Sequence, residues 1–458
     1  MIVSVATAAR IHGTAGPDRL QAVNGVRELV SCGRGYDLAT VDGLDRVARD
    51  CEVVTRQASR DPYENGESQH ETEVEPDSAA FGKTVVAVFQ VGRIFDGGAR
   101  NIGYAVSHDS GRTWRRGFLP GLTPRASDPS IAYDRRHKAW LAVSLVFGGV
   151  GSQISVSRST DTRHWSAPVT AVSTSPQFGQ DKEWIACDDW PQSPYYGNCY
   201  LSYSDTIGEE VVAQTSSDGG RTWSGLTTAP GFPGRESIRG SFAPGVQPLV
   251  LPSGRVVIAY YDEGKISALR SDDGGATWTT EIGIAPADYR THLGLRAAPL
   301  PTSAVSSDGR AYVAWTDCAF RLGCPANDVV YTSSTDGIAW SPVTRVPTGS
   351  GDAELPGLDA DPSRPGRLAL TYYVYGGSSL DVRFVWSKDA GASWSRSQLL
   401  NSRRVPVSGI AKTSLGSMVG DYISTSFAGG RAVPVFVLAS APRKGLHEAA
   451  FGTSLPVP

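Results

Sequence analysis

Carboxylates and arginines recur in this chain at the ends of short apolar stretches, and they are the side chains with the most chemistry to offer. In chain order the candidates are Glu73 and Glu75, Arg93 and Asp96, Asp128, Asp181 and Glu183, Arg239, Arg296, Glu354, and Asp421 with Tyr422. Paired carboxylates can divide the work of proton donor and of base or nucleophile at a glycosidic bond. A guanidinium fork matches a carboxylate with two parallel hydrogen bonds. The 7 histidines show no HxH or HxxxH spacing, so no zinc or copper centre is expected. A net charge of -3 leaves no electrostatic footprint for nucleic acid or an anionic membrane. Nor is there an apolar run of roughly 18 residues to span a bilayer.

The elements that position these groups are written in a repeated phrase. It reads SHDSGRTW at 107–114, STDTRHW at 159–165, SSDGGRTW at 216–223, SDDGGATW at 271–278, STDGIAW at 334–340 and SKDAGASW at 387–394. Its aspartates, Asp109, Asp161, Asp218, Asp273, Asp336 and Asp389, are 52, 57, 55, 63 and 53 residues apart. Ser and Asp bonding to the turn backbone, a Gly at positive φ and a Trp packing beneath describe a hairpin turn rather than a catalytic centre. Each phrase lies between two strands and follows two more, so each unit is four antiparallel strands. With 51 glycines and 29 prolines the chain is turn-rich. After the sixth phrase the tail repeats the first three strands of a unit, and residues 52–72 are placed to supply the missing fourth. The reading is an all-β propeller of six or seven blades, seven being favoured.

The phrase is similar to the Asp-box, or BNR, motif of sialidase-like β-propellers, and residues 71–458 resemble that superfamily. The resemblance implies a substrate face opposite the Asp-box turns, where the acidic and basic residues named above fall. The stretch VVAVFQVGRIFDGGARNIGYAVSHDSGRTW (85–114) resembles the sialidase segment leading into the first Asp box. On it Arg93 corresponds to a clamp arginine and Asp96 to the acid/base. GDYIS (420–424) puts Tyr422 near the nucleophile tyrosine, and Arg239 and Arg296 are available as further clamp arginines. At the first clamp position this chain has glutamates instead, in ETEVEPDSAAF (71–81). Glu73, Glu75, Asp128, Asp181, Glu183, Glu354 and Asp421 are assigned to the substrate face. The resemblance implies a glycoside hydrolase, an exo-sialidase or another glycosidase, acting on extracellular glycans without a cofactor in catalysis. A carbohydrate- or protein-binding propeller without turnover is the alternative, and enzyme status stays open. Tyr195, Tyr196, Tyr260, Tyr261, Tyr372 and Tyr373 suit stacking on sugar rings, but half of each Tyr-Tyr pair is expected to face a sheet interior. A monomer is expected, with no nucleic-acid partner.

Residues 11–55 read differently. Asp18, Glu28, Asp37 and Asp45 stand 10, 9 and 8 apart among glycines, which suits a parallel β-roll. The segment resembles the RTX, or haemolysin-type, nonapeptide, and that implies calcium on Asp18, Asp37 and Asp45. Residues 56–70 read as a linker. Six cysteines fall into three close pairs, Cys32 with Cys51, Cys187 with Cys199 and Cys318 with Cys324, which reads as three local disulfides in an oxidising compartment. Residues 1–10 look like the remnant of a signal peptide, so a secreted, bacterial protein is expected.

Overall fold

The computed structural model describes residues 9–148, 151–174, 179–205, 210–225, 227–228, 245–442 and 445–458, and among these the chain is all-β. From Glu73 onward the strands form antiparallel units of four. The first is Glu73–Phe81, Thr84–Arg93, Ala99–Ser107 and Arg115–Phe118. Five further units follow, whose first strands are Arg125–Asp134, Gln180–Cys187, Gln247–Val250, Thr302–Val305 and Asp352–Ala360. The last unit takes Ser424–Ala428, Arg431–Ala439 and Glu448–Thr453 from the C-terminal end and its fourth strand, Val53–Gln57, from the N-terminal end. The first strand of each unit packs on the first strand of the next, and the last packs on the first. All seven line a shared channel of about 330 Å³.

Those first strands are edge strands, whose outward amides need partners. Side chains of a neighbouring unit supply them. Asp77 Oδ2 accepts from Ile131 N (2.9 Å), Thr302 Oγ1 from Leu358 N (3.2 Å), Asp359 Oδ2 from Phe427 N (2.9 Å) and Ser424 Oγ from Ser78 N (3.1 Å). Burial pushes the Asp77 and Asp359 carboxyls up to about 7.

The six repeated phrases form turns at the channel end away from these strands' beginnings. In the first, Gly111 N donates to Ser107 Oγ (2.8 Å), Thr113 N to Asp109 Oδ1 (2.9 Å) and Thr113 Oγ1 to Asp109 Oδ2 (2.7 Å). Partial burial opposes the charge of Asp109, but these bonds outweigh it and hold the carboxyl below its usual range. Gly111 has a φ of 81, and a Cβ there would lie 2.5 Å from Val433 Cγ1 in the last unit, so both conformation and space require glycine. The closing tryptophans brace one unit against the previous one: Trp165 lies 5.5 Å from the Tyr104 ring, and Trp394 lies 5.9 Å from Tyr331.

Ahead of the first unit, Ala9–His12, Glu28–Ser31 and Arg46–Val47 form one parallel sheet. Arg19–Ala22, Leu38–Val41 and Val53–Gln57 form a second. Val30, Cys32, Ala39, Val41 and Cys51 are buried between them. Val53–Gln57 thus belongs to both the parallel segment and the last antiparallel unit, where the sequence reading drew a boundary at 55. The three cysteine pairs are disulfides and no cysteine is free. Among the described residues no helix is long and apolar enough to cross a membrane.

Candidate functional site

The site is built on one backbone irregularity used repeatedly. Near their beginnings, four first strands slip register, between Val74 and Asp77, Ser127 and Ser130, Asp181 and Trp184, and Glu354 and Gly357. Each slip is a bulge whose extra residue takes a positive φ: Glu75 at 54, Asp128 at 44, Lys182 at 54 and Leu355 at 50. Glycine holds the matching place in the fourth unit, Gly245 at 80. A left-handed conformation costs a side-chain-bearing residue roughly 1 kcal/mol or more. Three consecutive units therefore carry an ionisable side chain where glycine would be unstrained. The residue after the bulge is proline in the first, second and sixth units (Pro76, Pro129, Pro356) and Glu183 in the third.

These side chains meet at Lys182. Its Nζ lies 2.7 Å from Asp421 Oδ2 and 3.3 Å from Glu75 Oε1, and it also bonds Asp128 Oδ1. Arg296 forks onto Asp421, with Nε to Oδ1 at 2.7 Å and Nη2 to Oδ2. Gln90 donates to Glu75 and accepts from Arg93 Nη1 (3.2 Å), which also donates to Gly98 O (2.8 Å). Burial alone would discharge Lys182, but Asp128, Asp421 and Glu75 reverse that and hold its pKa well above the usual value. Asp421 is likewise kept ionised against burial by Lys182 and Arg296. Glu75 is driven the other way: burial, with Asp128 and Asp421 nearby, pushes it up to about 7 despite Lys182. Asp181 is also pushed up to about 7 by burial. Glu183 is 1% exposed, and neither of its carboxylate oxygens has a partner. Burial and the Asp128 charge raise it well above the ordinary carboxylate range.

The residues expected to act divide accordingly. Arg93, Arg296, Glu75, Asp128, Asp181, Glu183 and Asp421 belong to this centre. Asp96 stands outside it, with its side chain 68% exposed and paired to Arg125 (2.8 Å). Tyr422 is buried edge-on to Trp184 (4.8 Å between rings), and its hydroxyl donates to Pro129 O (2.9 Å). Burial, then Glu75 and Asp128, hold its pKa well above the usual phenol value. Glu73 is buried with Oε1 unpartnered, and Arg239 lies outside the described residues. One member of each tyrosine pair was expected inside a sheet, and in the sixth unit both are. Tyr260, Tyr372 and Tyr373 are fully buried core residues, Tyr373 spanning to Val437 O (2.8 Å). Tyr195 packs at Gly274 of a repeated turn, on the opposite face.

A second constellation surrounds Glu354. His292 Nε2 lies 2.6 Å from Glu354 Oε1, Asn327 Nδ2 donates to the same oxygen (2.6 Å), and Tyr289 donates to Oε2 (3.3 Å). Burial favours neutral His292, but its bond to Glu354 prevails and raises its pKa. His292, Asp352 and Glu354 bring one ligand-type atom each within 4.8 Å of one another. The segment 287–301 carries both His292 and Arg296, so one connection serves both groups. Lys182 was marked only by its place beside Asp181 and Glu183 in DKEWIACDDW (181–190), and Gln90, Tyr289 and Asn327 had no motif to mark them as site residues. The nearest signal was the acid–Pro pair, Glu75-Pro76 and Asp128-Pro129, at matching places in two units.

The N-terminal carboxylates have other partners. Asp37 Oδ1 accepts from Asp18 N (2.7 Å), and Asp45 accepts from Glu28 N and Asp42 N (3.0 Å each). Asp18, Asp37 and Asp45 do not bring three oxygens within 4.8 Å of one another. They accept from amides of the adjoining turns, and Asp37 Oδ2 is buried without a partner.

Repeated four-stranded antiparallel units with a common turn phrase define an all-β repeat protein. A family model described as a BNR repeat-like domain matches residues 153–404, more than half of the chain, and the chain belongs to that family. A xyloglucanase from a Paenibacillus species is 30% identical over 132 residues, which is 28% of this chain but only 12% of that protein. Among solved structures, an ulvan lyase, a polysaccharide lyase, is 11% identical with a TM-score of 0.50, covering 88% of this chain and 96% of its own, a likeness of fold alone. The NanB sialidase of Streptococcus pneumoniae is 15% identical with a TM-score of 0.47, covering 86% of this chain and 70% of its own.

Proposed function

We propose that the chain is a seven-bladed Asp-box propeller acting outside the cell as a glycoside hydrolase, with its centre at Glu75, Asp128, Lys182 and Asp421. The observation that carries this reading is the strained placement of Glu75, Asp128 and Lys182 in three successive bulges. Strain of this kind persists where a site needs a side chain in one place. The cyclic packing of the first strands supports the propeller, and the three disulfides support an oxidising compartment. In this reading Glu75, pushed up to about 7, is the proton donor, and Asp421, kept ionised by Lys182 and Arg296, stabilises or attacks the oxocarbenium-like centre. The nearest oxygens of both contact one ammonium, so they are separated by at most about 6 Å, below the roughly 6.5–9.5 Å of inverting enzymes. Arg93 and Arg296 are positioning residues for these carboxylates.

Release of reducing ends from a panel of glycosides and polysaccharides tests this. Glu75→Gln and Asp421→Asn are expected to lower kcat by about 100-fold or more while the fold is retained by circular dichroism. Absence of hydrolysis across the panel, or full activity in both variants, overturns it. The second reading, recognition without turnover, draws on the burial of Lys182, whose side chain is 4% exposed. Glycan binding without product would select it.

A further inference from the structure

Two carboxylates of one strand converge on a single ring nitrogen beside the centre. Asp352 and Glu354 stand two apart at the beginning of Asp352–Ala360 and so share a face of it. From the connection 287–301, His292 brings Nε2 to 2.6 Å from Glu354 Oε1 and 3.5 Å from Asp352 Oδ2. One proton on that nitrogen serves one carboxylate well, whereas a dication serves both and cancels their joint charge. Other residues orient each group. Asn327 N donates to Asp352 Oδ1 (2.6 Å), which leaves Oδ2 to face His292. Asn327 Nδ2 donates to Glu354 Oε1 (2.6 Å) and to Arg290 O (2.8 Å), and Tyr289 donates to Glu354 Oε2 (3.3 Å). Tyr375 packs 4.6 Å from the imidazole ring. Partners of this kind hold the ligands of metal centres in place. Around a tetrahedral zinc ion the ligand atoms stand about 3.3 Å apart. The His292 to Asp352 spacing is close to that, and the His292 to Glu354 contact has to open by about 0.7 Å. Glu354 is sealed from solvent, but the Asp352 side chain is 14% exposed and gives access. Of the nearby cations, Arg321 is forked onto Asp328, and Arg290 is exposed.

We propose that His292, Asp352 and Glu354 bind a first-row divalent cation of the zinc type, with water completing its coordination. One imidazole with two carboxylates suits such an ion, whereas calcium takes about six to eight oxygens. The cation replaces the proton on His292 Nε2, which leaves to solvent. Bound there, it ties the connection 287–301 to the sixth unit. Four residues after His292 that connection carries Arg296, which forks onto Asp421. Histidine spacing along the chain does not reveal this set, because His292 and Glu354 are 62 positions apart.

The test is calorimetric titration of the chelator-treated, full-length protein with zinc chloride and with calcium chloride, backed by the visible absorption of added cobalt(II). One tight zinc site per chain is expected, with calcium at least a hundredfold weaker. His292→Gln and Asp352→Asn are each expected to weaken zinc binding at least tenfold and to abolish the cobalt d–d bands. Asp352→Asn keeps an oxygen for Asn327 N, so it carries the test if the His292 variant fails to fold. His164→Gln, at an exposed histidine–carboxylate pair, is expected to change neither readout. Zinc is also expected to slow tryptic cleavage after Arg290 in the unaltered protein and not in Asp352→Asn. Unchanged zinc affinity in folded Asp352→Asn overturns the proposal. So does loss of the zinc site in His164→Gln, or calcium binding as tight as that of zinc.

Discussion

At Glu75 the opposing forces can be ranked. Burial and two neighbouring carboxylates raise its pKa, Lys182 lowers it, and the balance lies at about 7. A proton donor of that acidity is lost as pH rises, so kcat/KM for a neutral glycan is expected to fall on an alkaline limb centred near 7. Replacing Lys182 by Met removes the lowering influence and should move that limb upward; a limb that stays in place assigns it to another group. The polar residues around the centre were partly legible in the sequence, because Glu75, Asp128, Asp181, Glu183 and Asp421 all stand at strand beginnings. Their convergence on Lys182 was not, since it joins residues 107 and 54 positions away and no local pattern encodes such a meeting. Asp96 and Tyr422 show the opposite case. Motif likeness drew attention to them, but one stands on the exposed rim and the other donates to a carbonyl.

Elements divide by how local their bonding is. The six turn phrases were legible because Ser107, Asp109, Gly111 and Thr113 satisfy one another within seven residues. Loss of such a network is a stability event: Asp109→Ala is expected to cost about 1–3 kcal/mol in denaturant unfolding with kcat unchanged. The bulges were not legible, because a positive φ at a Glu, Asp or Lys leaves no signature in the sequence except the glycine of one sister unit. Glycine at position 75 is expected to relieve strain there, and to show higher thermal stability together with lost hydrolysis. In the N-terminal segment the nine-residue rhythm of acids was visible, but which amides they accept from depends on register. Melting with and without a calcium chelator is expected to give the same temperature, and a marked drop would assign those carboxylates to a metal.

For the whole molecule, Asp77, Asp359, Glu75 and Asp181 are all pushed up to about 7 by burial around the channel. Each has a folded pKa above its unfolded value, so the folded state binds protons more tightly. Their joint contribution to stability grows as pH falls through about 7 and is lost above it. The protein is expected to melt at a higher temperature at mildly acidic pH than at alkaline pH, and a melting temperature that rises with pH would contradict the shared sign. The strand Val53–Gln57 has a consequence in time. Thr55 meets Thr453 across 398 positions of chain, so one half of this pairing is made long before its partner. The early strand has the parallel segment to hold its other edge while it waits, through Leu38–Val41. Closure therefore waits for Glu448–Thr453, and a chain that lacks that strand keeps an unpaired edge open to other chains.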